Sequence, residues 1–241
     1  MLKIEERLIV SADFSPKDFG GLKGVEKEIL SLAKDLEGLG VYIKVNSALR
    51  AIGYDLITQL HNLGLKVFAD LKLNDIPKTM QTDAELLAEF KPEILTVMCS
   101  SGVDGMNAVQ QVLGDITEIL GVTVLTSLDE ENCQSVFACT SEQGVVNFAK
   151  MAKRAGLGGI ILSPKEAQLV KQLNLGLSLN TPGVRPLFTI VKNDDQARIN
   201  TPTKALQSGA DRLVIGRPIT QSKNPKEAVL KILEEIREAK K

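Results

Sequence analysis

Short apolar runs recur along the chain, and the longer segments between them show helical periodicity. Most of the runs are continuous and rich in Val, Ile and Leu, which is typical of strands buried on both faces of a parallel sheet. We predict eight such strands, in residues 7–13, 41–46, 66–72, 94–99, 116–125, 158–163, 175–180 and 212–217.

Between the predicted strands, apolar residues repeat with the 3.6-residue period of an amphipathic helix. The pattern is clear in residues 22–38 and after Pro225, and it also predicts one helix over 48–63 that contains His61. Eight strand–helix units in 241 residues amount to about 30 residues per unit, as in a closed α/β barrel. We therefore predict an α/β fold, a single-domain (β/α)8 TIM barrel over residues 1–241. A doubly wound open sheet has similar spacing and stays the alternative fold.

Charge and hydropathy argue against several classes of partner. Lys and Arg total 29 against 30 Asp and Glu, a formal net charge of −1, whereas non-specific nucleic-acid binding needs a basic surplus. The chain has no Trp and 2 Tyr, which are few for a base-stacking surface. No apolar run approaches the roughly 18 residues of a membrane span. We therefore predict no nucleic-acid partner and no membrane association.

The cysteine and histidine content limits the cellular location and the metal sites that we predict for this chain. The acidic N-terminus lacks the apolar core of a secretion signal, and 3 cysteines without a C-x-x-C pair indicate no disulfide framework. A cytoplasmic location fits this pattern. Because His61 is the single histidine, a multi-histidine metal site cannot form within one chain.

Charged residues stand at the ends of several predicted strands, where an α/β barrel places its chemistry. Asp13 ends the first strand, and Lys44 lies near the end of the second. The third ends in Asp70 and Lys72, whose side chains share one face because a strand has a period of two. With Asp75 following, we predict an alternating Lys-Asp-Lys-Asp array in which each attraction is worth about 4 kcal/mol. Such a site has a proton donor and needs no metal or organic cofactor.

A phosphate site is predicted at the seventh and eighth strands. The segment after the seventh strand supplies Gly183 and Arg185, and the eighth strand ends in Gly216 and Arg217. The loops after these two strands are the usual phosphate site of such barrels. Glycine allows close approach of the backbone, and arginine presents a planar fork of donors to phosphate oxygens.

Several ordered motifs resemble the orotidine 5′-phosphate decarboxylase family. The string DLKLNDIPKT at 70–79 is the strongest, and the matches extend from Asp13 to Thr220. The other motifs are IKV at 43–45, TVLTS at 123–127, TPGVRP at 181–186, DDQARI at 194–199 and VIGRPIT at 214–220.

The resemblance implies a cofactor-free loss of carbon dioxide from C6 of orotidine 5′-phosphate, giving UMP in pyrimidine biosynthesis. It implies that Lys72 protonates C6 and that Asp70 lies beside the substrate carboxylate, with Lys44 and Asp75 completing the array. It also implies a homodimer in which Asp75 and Thr79 enter the neighbouring site. The implied substrate contacts are Asp13 and Lys44 for the ribose, Thr126 and Ser127 for the pyrimidine, and Arg185, Gln196, Gly216 and Arg217 for the phosphate.

The sequence departs from the family pattern at Asn46, Asn74 and Cys99–Ser100, and none of these positions supplies a predicted charge. Two other functions stay open. One is a magnesium-dependent keto-sugar-phosphate decarboxylase related to the family, and the other is a non-catalytic barrel that binds a nucleotide phosphate. The Ile76–Pro77 pair with Thr79 favours the nucleotide enzyme. Without the other motifs, Asp70 and Lys72 would be read as a solvated ion pair at a strand end.

Overall fold

The eight predicted strands form a closed parallel barrel. The computed structural model describes residues 2–189 and 200–239. Strands pair in sequence order, and β1 closes the barrel against β8 with Leu8 beside Leu213. This closure confirms the (β/α)8 prediction and rules out the open sheet. The strands are β1 Leu8–Ser11, β2 Tyr42–Val45, β3 Lys66–Leu73, β4 Ile94–Met98, β5 Glu118–Val122, β6 Gly159–Ile161, β7 Ser178–Thr181 and β8 Arg212–Ile215.

Helices connect the strands and surround the barrel. Within the described residues, none of the helices is long and apolar enough to cross a membrane. They are α1 Leu22–Leu36, α2 Ala48–Ile52, α3 Asp55–Asn62, α4 Pro77–Ala88, α5 Gly102–Leu113, α6 Glu130–Phe137, α7 Ser141–Arg154, α8 Pro164–Gln172, α9 Pro202–Gln207, α10 Arg217–Thr220 and α11 Pro225–Glu238.

Alternation along each strand divides the apolar residues between two cores. On β1, Leu8 and Val10 face the helices and join the large core between sheet and helix layer. The side chain between them, Ile9, belongs to the smaller core inside the barrel. Both faces of the sheet are buried, which explains why the strands appear in the sequence as continuous apolar runs. The interior core consists of Ile9, Tyr42, Phe68, Ile94, Leu120 and Val214, with Ile161 packed against it.

The single helix predicted over 48–63 is wrong. The structure has two helices there, α2 and α3, separated at Gly53, whose φ is 118°. That left-handed φ is accessible to glycine and ends α2. The break lets α2 pack beside β3, where the Nη2 of Arg50 donates to the carbonyl of Leu71 at 2.7 Å. This bond braces the strand that carries Asp70 and Lys72.

An ion pair between a buried arginine and a partly buried glutamate lies at the amino-terminal end of the barrel. Arg212 donates through Nη2 to Glu118 Oε2 at 2.6 Å and through Nη1 to Glu118 Oε1 at 3.1 Å. Nη1 also contacts Asn180 Oδ1 at 3.2 Å, and the guanidinium lies 5.6 Å from the ring centre of Tyr42. Charges at this end of a barrel contribute to stability, whereas chemistry is performed at the opposite end.

Candidate active site

A cavity of about 580 Å³ opens at the carboxyl ends of the strands. Its walls come from β1, β2, β3, β5, β6 and β8 and from the segments that follow β5, β7 and β8. Asp13, Lys44, Asp70 and Lys72 line one part of it. The cavity therefore occupies the position at which barrel enzymes bind their substrates.

Four of the predicted charged residues form one continuous chain of ion pairs. The Nζ of Lys44 lies 2.8 Å from Asp13 Oδ1 and 3.0 Å from Asp70 Oδ2. The other oxygen of Asp70, Oδ1, accepts from Lys72 Nζ at 2.8 Å. Ser11 Oγ donates to Asp13 Oδ2 at 2.5 Å. The observed order is Asp13–Lys44–Asp70–Lys72. Asp13 therefore adds a carboxylate at the Lys44 end of the predicted array, and Asp75, predicted beyond Lys72, is not a member of this chain of ion pairs.

Burial divides the chain into inner and outer members. The side chains of Lys44 and Asp70 are 7% and 10% exposed, whereas those of Lys72 and Asp13 are 40% and 46% exposed. Burial alone would raise the pKa of Asp70, but attraction by Lys44 and then by Lys72 outweighs it, and the pKa lies below its ordinary value of 3.8. Asp70 is thus held as an anion at neutral pH, with an accessible ammonium beside it.

Thr96 orients both Asp70 and Lys72, and the sequence analysis missed it. Its hydroxyl, on β4, donates to Asp70 Oδ1 at 2.9 Å and accepts from the backbone N–H of Lys72 at 3.0 Å. Lys72 has a φ of 49°, a left-handed conformation that costs about 1–2 kcal/mol for a residue with a Cβ. The register of β3 against β4 shifts between Ala69 and Leu73. Thr96 is fully buried, and the available signal was a lone hydroxyl within the apolar run ILTVM.

An apolar wall faces the charged residues. Phe68, Val122, Ile161 and Val214 line the cavity, and each is at least partly buried. A flat, weakly polar ring could bind against such a wall while its polar edge meets the charges. Apolar side chains beside the ion pairs lower the effective dielectric constant at which they act, relative to bulk solvent.

The predicted phosphate residues lie on the same cavity. Arg185, Gly216 and Arg217 all line it. Gly183 has a φ of 75°, which turns the chain sharply between β7 and Arg185. Gly216 is the N-cap of the short helix α10, which begins at Arg217. A short extra helix after the eighth strand is the usual phosphate position in this barrel class, so the two guanidinium groups add charge at a site suited to an anion.

Comparison with known proteins decides the family. The family model described as "Orotidine 5'-phosphate decarboxylase / HUMPS family" matches residues 6–232. The chain belongs to this family. It is 38% identical over 229 residues to the orotidine 5′-phosphate decarboxylase of Streptococcus sanguinis strain SK36, covering 93% of this chain and 95% of that protein.

Other proteins of this family show a similar level of identity to the chain. The chain is 37% identical over 217 residues to the orotidine 5′-phosphate decarboxylase of Campylobacter fetus, with coverage of 87% and 94%. Among solved structures, it is similar to the crystal structure of orotidine 5′-phosphate decarboxylase from Lactobacillus acidophilus. That match has a TM-score of 0.78 and 30% identity, and it covers 96% of this chain and 99% of that chain.

The other residues implied by the family resemblance divide into three groups. Thr126 lines the cavity, whereas Ser127, Asp75 and Thr79 do not. Asp75 is exposed, and its Oδ1 accepts the N–H of Ile76 at 2.7 Å. Thr79 lies in the first turn of α4. Gln196 lies outside the described residues. Among the described residues of one chain, the site therefore gathers its predicted members except Asp75, Thr79 and Ser127.

Two further observations concern metal and thiol chemistry in the family site. Over residues 2–189 and 200–239, no group of three or more His, Cys, Asp or Glu side chains is arranged to hold a metal ion. Cys99, at the end of β4, is fully buried, and burial raises the pKa of its thiol to about 12. Since the thiolate is the reactive form, Cys99 acts as a small apolar residue.

Proposed function

We propose that this protein decarboxylates orotidine 5′-phosphate to UMP in de novo pyrimidine biosynthesis, without a metal or an organic cofactor. The observation that carries the proposal is the 2.8 Å ion pair between Lys72 and Asp70 in a cavity that Arg185 and Arg217 also line. The family relationship supplies the substrate. A cytoplasmic location, as the sequence analysis expects, is part of the same proposal.

In the proposed reaction the C6–carboxylate bond breaks, carbon dioxide leaves, and the bonding electron pair stays on C6. Lys72 then donates a proton from Nζ to C6, and its exposed side chain can reach a bound ring. Asp70 stays ionised because of its lysine neighbours. Its charge repels the substrate carboxylate more strongly than the transition state, from which the carboxylate charge is departing. The ammonium group of Lys72, which lies 2.8 Å from Asp70, neutralises the carbanion that develops.

The rest of the cavity is proposed to hold the substrate in place. Asp13 and Lys44 would bind the ribose hydroxyls, and Thr126, with Ser127 beside it, would contact the pyrimidine. Phosphate binding far from C6 would provide free energy that restricts the ring to a reactive position. The proposed phosphate ligands are Arg185, Gln196, Gly216 and Arg217.

The active enzyme is proposed to be a homodimer with shared sites. Asp75 and Thr79 are exposed in one chain, and Ile76 between them exposes 66% of its surface. An exposed large apolar residue beside a carboxylate is consistent with a protein interface. Asp75 of one subunit would then extend the neighbouring ion-pair chain beyond Lys72, giving the alternating array with one member contributed in trans.

The experiment that tests the proposal follows the ultraviolet change on adding orotidine 5′-phosphate to the purified protein in EDTA. We expect conversion to UMP in EDTA at the rate found with added magnesium. The carboxylates that a magnesium-dependent relative would use are already paired with Lys44 and Lys72, which supports this expectation. Turnover of keto-sugar phosphates only with magnesium would refute it, and UMP binding without turnover would indicate a non-catalytic barrel.

A further inference from the structure

We propose that Glu235, which does not contact the cavity, is a positioning residue for the phosphate site. It fastens the segment that carries Arg185 to the last helix of the barrel. This inference rests on the proposed phosphate role of Arg185. It assigns a function to a buried carboxylate that the proposed chemistry does not otherwise use.

Glu235 lies in α11, and only 8% of its surface is exposed. Its Oε2 accepts the backbone N–H of Leu187 at 3.3 Å. Leu187 follows Arg185 by two residues and begins a short 3-10 helix, Leu187–Thr189. Glutamate is rarely buried without a partner, and here the partner is the backbone of the segment that holds Arg185.

The same carboxylate also faces the other end of the β7–α9 connection. Burial raises the pKa of Glu235, while the backbone N–H groups of Leu187 and Thr203 oppose the rise and Glu238 adds to it. Thr203 lies in the first turn of α9, which packs against α11. The first stem is hydrogen-bonded to Oε2 of Glu235 and the N–H of Thr203 in the second lowers the pKa of the same carboxyl, whereas Oε1 has no hydrogen-bond partner among the described residues.

Two other contacts hold the first stem, one to the second stem and one to α11. The N–H of Arg185 donates to the carbonyl of Asn200 at 2.9 Å, which joins the stems directly. Lys231, one turn before Glu235 on α11, places its Nζ 5.9 Å from the ring centre of Phe188. Backbone bonds at residues 185 and 187 therefore fix the base of the Arg185 side chain, while its guanidinium is exposed at the cavity. Removing the Glu235 acceptor should let this base shift.

The alternative is that Glu235 serves only the stability of α11. A double-mutant cycle separates the two roles, because coupling between two residues appears only if one acts through the other. The variants are Glu235→Met, which keeps the unbranched shape and has no oxygen acceptor, Arg185→Ala and the double variant. The readout is the dissociation constant of UMP compared with that of uridine, which lacks the phosphate.

We expect Glu235→Met to weaken UMP binding by about 5- to 10-fold, consistent with a coupling near 1 kcal/mol, and to leave uridine binding unchanged. In the Arg185→Ala background the same substitution should change UMP binding less than about twofold, since the residue that it positions is gone. Glu234→Met is the matched control, because Glu234 is an exposed neighbour paired with Arg237. It should bind UMP as the wild type does.

A second variant keeps the test decisive if Glu235→Met does not fold. Leu187→Pro removes the N–H that Glu235 accepts and leaves α11 intact, and it should reproduce the selective loss of UMP affinity. Equal losses for UMP and uridine, or additive losses in the double variant, would overturn the positioning role. An Arg185→Ala variant that binds UMP normally would instead overturn the proposed phosphate site itself, and this inference with it.

Discussion

Replacing Thr96 with valine tests whether one buried hydroxyl holds the Asp70–Lys72 pair in place. Valine has nearly the same shape, so the change removes the hydroxyl without opening a cavity. The lost bond to the charged Asp70 (2.9 Å) is worth about 1.5–3 kcal/mol. The N–H of Lys72, which Thr96 accepts at 3.0 Å, would lose its partner at a cost of about 1–3 kcal/mol.

Partial relaxation of the strand end reduces the combined cost of the two lost hydrogen bonds, so we expect the free energy of unfolding to fall by about 3 kcal/mol. Turnover should fall about 10- to 100-fold, because Lys72 keeps its charge but loses its fixed position. Urea denaturation at one protein concentration measures the free energy of unfolding, and steady-state decarboxylation measures turnover. Keeping the concentration constant matters because assembly would add to apparent stability.

Thr96→Ser is the matched control, since it retains the hydroxyl and removes one methyl group at a cost of about 1 kcal/mol. The effect of Thr96→Val should also shrink in an Asp70→Asn background, where the acceptor carries no charge. If Thr96→Val unfolds within about 0.5 kcal/mol of the wild type and turns over at the same rate, the reasoning on this bond is refuted.

Three further predictions concern the charged residues of the site and of the barrel. The pKa of Asp70 is lowered, so its contribution to the free energy of unfolding is complete above pH 3.8 and is lost as the pH falls through the lowered pKa. Urea unfolding measured from pH 7 downwards should therefore show a shallower loss of stability in acid for Asp70→Asn than for the wild type. Glu118→Ala should destabilise the fold by about 3 kcal/mol, since it leaves the buried Arg212 charge without its carboxylate, while turnover at saturation stays within twofold of wild type; equal stability would contradict this. Mixing Asp75→Ala with Lys72→Ala protomers should restore activity if sites are shared, and absence of rescue after verified subunit exchange would count against the dimer.

The strand pattern predicted most of the site because parallel strands bring their ends together. Period-two alternation placed Asp70 and Lys72 on one face, and Lys44 on the preceding strand joined them, as the 2.8 and 3.0 Å contacts confirm. The pattern could not show which carboxylate would reach Lys44 from its other side. Asp13 does so because it follows β1, which pairs with β2 directly.

Features that depend on backbone detail were not predictable from the pattern. The break at Gly53 and the left-handed φ of Lys72 depend on local turns that apolar periodicity does not report. Glu235 is a different case. The periodicity of α11 placed Val229, Ile232 and Ile236 inside and gave no reason to bury a glutamate, because its partner is a backbone N–H of another segment. Buried polar groups whose partners are backbone atoms leave almost no sequence signal.

The most direct test of the account replaces Lys72 with alanine and measures decarboxylation and UMP binding on the same preparation. Lys72 is proposed as the proton donor, so turnover of orotidine 5′-phosphate should fall by at least about 10²- to 10⁴-fold, while UMP binding stays within a few-fold of wild type. Lys150→Ala, which removes an exposed lysine on α7, should turn over normally. A Lys72→Ala enzyme with wild-type turnover would contradict the central claim.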